Sequence, residues 1–120
     1  MISLLLSNSA STNSRNKNGS TPLSLASQDG REAVVKTLLE GGADANASDE
    51  DGWTSLMAAS QNGHQAVVEA LIASGADINA GKKDGWTSLM IASKNGHQAV
   101  VEALVGSGAD VNASNKDGST

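Results

Sequence analysis

The sequence predicts an all-α solenoid, a row of stacked helix-turn-helix units with turns protruding between them. Three observations lead there. Gly19, Gly52, Gly85 and Gly118 recur at a step of 33 residues, as do Thr21, Thr54, Thr87 and Thr120. Within each unit the apolar residues follow a helical period, as at Val67, Val68, Leu71 and Ile72. The apolar content is 38% but the aromatic content only 2%, so the core is built from Ala, Leu, Val and Ile, which suits short stacked helices better than a β-sandwich.

Each unit reads the same way. Thr54 to Ser60 is a short helix, with Thr54 as its N-cap and Gly63, after Asn62, as its stop. In the first unit Pro22 follows Thr21, the favoured place for a proline just inside a helix start. His64 to Ser74 is a second helix that Gly75 ends. Ala76 to Gly85 is a polar, glycine-bounded turn into the next unit. Trp53–Ala80 and Trp86–Ala113 differ at five of 28 positions, and four of those changes exchange small or apolar residues. The fifth is Gln61 against Lys94. Helices this short bury their apolar faces only against neighbouring units. The boundaries follow: repeats at 16–48, 49–81 and 82–114, a partial, degenerate repeat at 1–15, and the start of a truncated one at 115–120. With the back half of a unit at one terminus and only the first residues of one at the other, the chain reads as an excerpt of a longer array.

These motifs resemble the ankyrin repeat family. Its pattern joins a D-G-x-T-P-L start to a central G-H-x-x-V-V-x-x-L-L and a final G-A-D-x-N-A. This chain carries Asp51-Gly52-Trp53-Thr54-Ser55-Leu56, then Gly63-His64, Val67-Val68 and Leu71-Ile72, then Gly75-Ala76-Asp77-Ile78-Asn79-Ala80. The resemblance implies a non-catalytic module that binds a protein partner through its concave face, at the turn tips and first helices. Carried over by alignment, that surface holds Lys17, Ser20, Glu50, Asp51, Trp53, Lys83, Asp84, Trp86 and Lys116. From the ends of the first helices Gln28, Gln61, Asn62, Lys94 and Asn95 join it. One departure stands out. Where the family has a His that bonds the Thr and links neighbouring units, this chain has Ser24, Met57 and Met90, which do not reproduce that link in full.

Chemistry finds no candidates. With no Cys there is no disulfide, thiolate metal site or cysteine nucleophile. The two His occupy equivalent places 33 residues apart, His64 and His97, so each belongs to its repeat and not to a shared metal. Asp49-Glu50-Asp51-Gly52 fails the calcium-loop spacing, because Ala47 and Ala58 stand where the outer ligands belong. Gly106-Ser107-Gly108 lacks the third glycine of a dinucleotide loop and the Lys of a phosphate loop. Asp44, Asp77 and Asp110 repeat with the unit and are turn residues. No cofactor and no enzymatic activity are expected. A net charge of −5 argues against nucleic acid as a partner. No apolar run approaches membrane-spanning length and no leader is recognisable, which makes an intracellular location the expectation.

Binding is where the signal lies. Trp53 and Trp86 each follow a turn glycine on an otherwise polar segment, and Trp is enriched at interface hot spots. Alternatively each ring lies over the neighbouring turn and stiffens the array. Met57 and Met90 either extend an apolar strip beside each Trp or fill space between repeats. The competing role is structural: exposed ends, at Leu104, Val101 and Met1 to Leu6, would drive end-to-end self-association.

Overall fold

Threonine starts the first helix of every unit. Thr21, Thr54 and Thr87 are in extended conformation, and each hydroxyl accepts the N–H three residues on, from Ser24, Met57 and Met90 at 3.2, 3.3 and 3.4 Å. That satisfies one of the orphan N–H groups of the first turn. The computed structural model describes residues 15–17 and 19–112. Among these lie six helices: α1 (Pro22–Gln28), α2 (Glu32–Glu40), α3 (Ser55–Gln61), α4 (Gln65–Ala73), α5 (Ser88–Lys94) and α6 (Gln98–Gly106). The expected helices are present: Thr54 is the N-cap as expected and α3 runs one residue further, to Gln61, while α4 lacks the expected terminal residues His64 and Ser74, which are its caps.

The stops are Schellman motifs. After α3 the His64 N–H reaches back to the Ala59 carbonyl (3.0 Å) and the Gly63 N–H to that of Ser60 (3.4 Å). This geometry puts Gly63 at φ +74, left-handed backbone that a side chain disfavours. The same closure ends α4, where Ala76 N–H bonds the Leu71 carbonyl and Gly75 stands at φ +92.

First helices stack on first helices, α1 on α3 on α5, and second helices likewise, α2 on α4 on α6. The result is elongated, 44 × 27 × 20 Å. One continuous core runs between the two rows, through Leu23, Val35, Leu38, Leu56, Val67, Val68, Leu71, Val100 and Leu104. Each fully buried Leu or Val contributes roughly 1.5–3 kcal/mol relative to exposure. Met57 and Met90 are buried at 0% and 5% exposure, so they fill space inside the stack and do not form a strip beside the Trp rings. Ser24 instead closes a capping box with Thr21: its Oγ accepts the Thr21 N–H at 3.0 Å, a bond within its own unit.

Polar ties join one unit to the next. The Asn46 and Asn79 side-chain carbonyls accept the N–H of Asp77 (2.6 Å) and Asp110 (2.7 Å). His64 Nε2–H donates to the Gln28 carbonyl (3.0 Å), and His97 Nε2–H to that of Gln61 (2.9 Å). The two histidines are thus inter-repeat clamps. Asp44, Asp77 and Asp110 each accept the N–H two residues on, which explains why they recur with the unit.

The core also contains misplaced hydroxyls. Ser27 and Ser60, equivalent in α1 and α3, are 0% exposed, and neither Oγ finds a partner among the described residues. Desolvating an unpaired hydroxyl costs about 1–3 kcal/mol. Ser27→Ala and Ser60→Ala should each therefore stabilise the fold by about 1 kcal/mol, read as a higher urea midpoint. The equivalent Ser93 is exposed, and Ser93→Ala should leave the midpoint nearly unchanged.

Candidate binding groove

Three protruding turns and the first helices build one side of the stack. In the second turn, Asp49 N–H bonds the Trp53 carbonyl (3.0 Å), and Gly52, at φ +88, lets the chain reverse. Isolated bridges, Ser48 to Thr54 and Gly81 to Thr87, close the base of the second and third turns. Neighbouring turns are tied directly, through Lys83 N–H to the Asp51 carbonyl (3.1 Å) and through Arg15 to the carbonyl of Ser48.

The first position of the turns varies, with consequences for the site. The first residue of the first two turns is an acceptor: Asn16 Oδ1 takes the Ser20 N–H, and Asp49 Oδ1 takes those of Asp51 and Trp53, at 2.9 Å each. In the third turn that place is Lys82, which has no acceptor. Asp84 takes over, with Oδ1 accepting the Trp86 N–H at 3.1 Å. This bond first, and the nearby Lys82 ammonium second, hold the Asp84 carboxyl below the usual aspartate range.

Released from the turn, the Lys82 side chain crosses to the preceding unit. Its ammonium stands 4.5 Å from the centre of the Trp53 ring and 3.5 Å from Asp84 Oδ2. Lys94, at the end of α5, places its ammonium 5.3 Å from the centre of the Trp86 ring. Such cation–π contacts are worth about 0.5–1 kcal/mol at exposed sites. Both Trp residues are half-buried, each with a lysine over it.

Between these groups runs a groove of two contiguous clefts that share Trp53 and Gln61. One, of about 220 Å³, is lined by Ser20, Ser24, Gln28, Asp49, Thr54 and Ala58 as well. The other, of about 250 Å³, adds Lys82, Asp84, Trp86, Ile91, Lys94 and Asn95. Of the residues proposed from sequence, Ser20, Gln28, Trp53, Gln61, Asp84, Trp86, Lys94 and Asn95 come together here. Glu50, Asp51 and Lys83 sit exposed at the turn tips, outside the groove wall, and Lys17 is exposed on the first turn. The Asn62 side-chain amide is engaged within the scaffold, donating to the Gln28 and Ala58 carbonyls at 3.1 and 3.3 Å. Lys116 lies outside the described residues. Lys82 and Asp49 were not among the binding residues proposed from sequence; the break at the turn's first position, Asn16 and Asp49 against Lys82, was the available signal.

The sequence-based picture of the ends needs correction. Leu104 is fully buried, capped by its own Schellman turn, and Val101 is half-buried. The exposed apolar residues near that end are Val105 and Val111, beside a hollow lined by Leu89, Met90 and Val101. Met1 to Leu6 fall outside the described residues.

Among the described residues no three His, Asp or Glu side chains gather to hold a metal, and no helix is long and apolar enough to cross a membrane. A family model described as ankyrin repeats (3 copies) matches residues 1–82 and 42–115. No curated protein matches the chain.

Proposed function

The chain belongs to the ankyrin repeat family, whose members are generally protein–protein interaction modules and typically non-catalytic, and from that premise we propose that it binds a protein partner along the groove of its concave face. The observation that carries this reading is the continuity of the groove: two clefts joined through Trp53 and Gln61, built from rigid helices and cross-tied turns. Preorganised walls spare the partner much of the ordering cost of binding. Trp53 and Trp86 act as anchors, held in place by Lys82 and Lys94. The exposed charges at Glu50, Asp51 and Lys83 set register at the rim.

The test is affinity capture and titration of whatever partner the wild-type chain retains. The Trp53→Ala/Trp86→Ala double variant should weaken that complex by about 2 kcal/mol or more, roughly 30-fold. Lys36→Gln, on the outer helix row, serves as control and should bind as wild type. Equal retention by the double variant, with its circular dichroism spectrum unchanged, would overturn the anchor role.

A further inference from the structure

Resting on the reading of the groove as a protein-binding face, we propose that its cleft between Trp53 and Trp86 is selective for acid: Lys82 and Lys94 together receive a carboxylate side chain from an acidic segment of the partner. Three observations lead to this occupant.

The first is charge. The chain carries −5 overall, yet this cleft holds two ammonium groups against one carboxylate, Asp84. Both oxygens of that carboxylate are committed, Oδ1 to the Trp86 N–H and Oδ2 to Lys82. Lys94 makes no ion pair among the described residues. The cleft is a cationic island in an acidic molecule, and its electrostatic complement is an anion.

The second is preorganisation. A free surface lysine loses considerable rotamer freedom when it grips a ligand. The Lys82 side chain is already only 18% exposed and lies over the Trp53 ring. Lys94 is exposed, but its ammonium also stands over a ring, 5.3 Å from the centre of Trp86. With cations already over both rings, a second cation from a partner is repelled, so the cleft discriminates by sign. Gln61, on the wall between them, supplies a side-chain amide for the second carboxylate oxygen.

The third is the contrast along the groove. The adjoining cleft holds Asp49, next to exposed Glu50 and Asp51, and no lysine. An acidic side chain is favoured in one half and repelled from the other, which gives the bound segment a direction. Two of the differences between the near-duplicate units fall on this feature: Gln61 becomes Lys94, and Asp49 becomes Lys82.

The probe is a blocked tetraglutamate peptide, with tetraglutamine and tetralysine peptides as controls, titrated into the full chain at low ionic strength. The readout is the pair of Trp indole N–H signals by NMR. The glutamate peptide should shift both signals saturably, and the glutamine and lysine peptides should not. Raising salt from about 20 to about 200 mM shortens the screening length from roughly 20 to roughly 7 Å and should weaken binding several-fold. Lys94→Gln should weaken it about fivefold or more, while Lys36→Gln leaves it unchanged. The proposal is overturned if the glutamate peptide gives no saturable shift, if the glutamine peptide binds equally, or if Lys94→Gln behaves like Lys36→Gln. It is also overturned if the indole signals move with protein concentration alone, for then the occupant is the acidic turn of a second copy. Absent peptide binding with partner capture still dependent on Trp53 and Trp86 would remove the acid-selective cleft and leave the groove standing.

Discussion

Gly63→Ala should unfold at markedly lower urea than Gly96→Ala, although the two glycines share one backbone conformation, φ +74 and φ +73. The conformational penalty is common to both, about 1–2 kcal/mol for a Cβ in left-handed backbone. What differs is the space. A Cβ on Gly63 would stand 2.7 Å from Nδ1 of His97, whereas among the described residues nothing lies within 4 Å of one on Gly96. The imidazole of His97 must then move, and with it goes its bond to the Gln61 carbonyl. Losing that clamp adds about 1 kcal/mol or more, so Gly63→Ala should cost about 3 kcal/mol and Gly96→Ala about half of that. The check is a double-variant cycle. In the Gly63→Ala background, His97→Ala should cost less than in the wild type, because the clash disappears with the ring. Equal midpoints for the two glycine variants would refute the steric account. A Cβ on Gly30 would stand 2.6 Å from the ring of His64, so Gly30→Ala belongs with Gly63→Ala.

How much of this was visible in the sequence depends on whether a feature repeats. The Thr caps, the glycine stops and the apolar stripe of α4 recur at a fixed step, and periodicity reports them well. The histidines were readable as unit residues for the same reason, though their acceptors, carbonyls 36 residues back, were not. What escaped depends on one unit meeting its neighbour in three dimensions. Lys82 is a turn residue by position, and only its failure to accept a hydrogen bond frees it to lie over Trp53. Met57 and Met90 stand next to polar caps in sequence, yet the helix start turns them inward. Leu104 sits near the chain's end in sequence but under the Schellman turn that closes α6 in space, with Ala109 N–H bonded to its carbonyl at 3.0 Å. Trp53 and Trp86 stood out as large rings on polar segments; that both carry a lysine over the ring was not encoded in any local pattern.

The second large effect concerns the stack itself. Leu71→Ala should destabilise the chain by about 3–4 kcal/mol, a large part of the 5–15 kcal/mol typical of a domain. Leu71 is 0% exposed on α4, the middle member of the second-helix row, with α2 on one side and α6 on the other. A cavity there weakens both junctions at once. In an array whose stability is a sum of unit and nearest-neighbour terms, that placement counts double. Leu25→Ala is the control, the same substitution at a residue 45% exposed on α1, and should cost no more than about 0.5 kcal/mol. Urea midpoints compare the two, and hydrogen exchange locates the damage. Amides of α2 and α6 should lose protection together in Leu71→Ala, because α4 is the one second-row helix that each packs against among the described residues. Loss confined to α4 would mean that the units hold themselves up separately, and the groove would then owe its rigidity to the turn ties instead of the core beneath it.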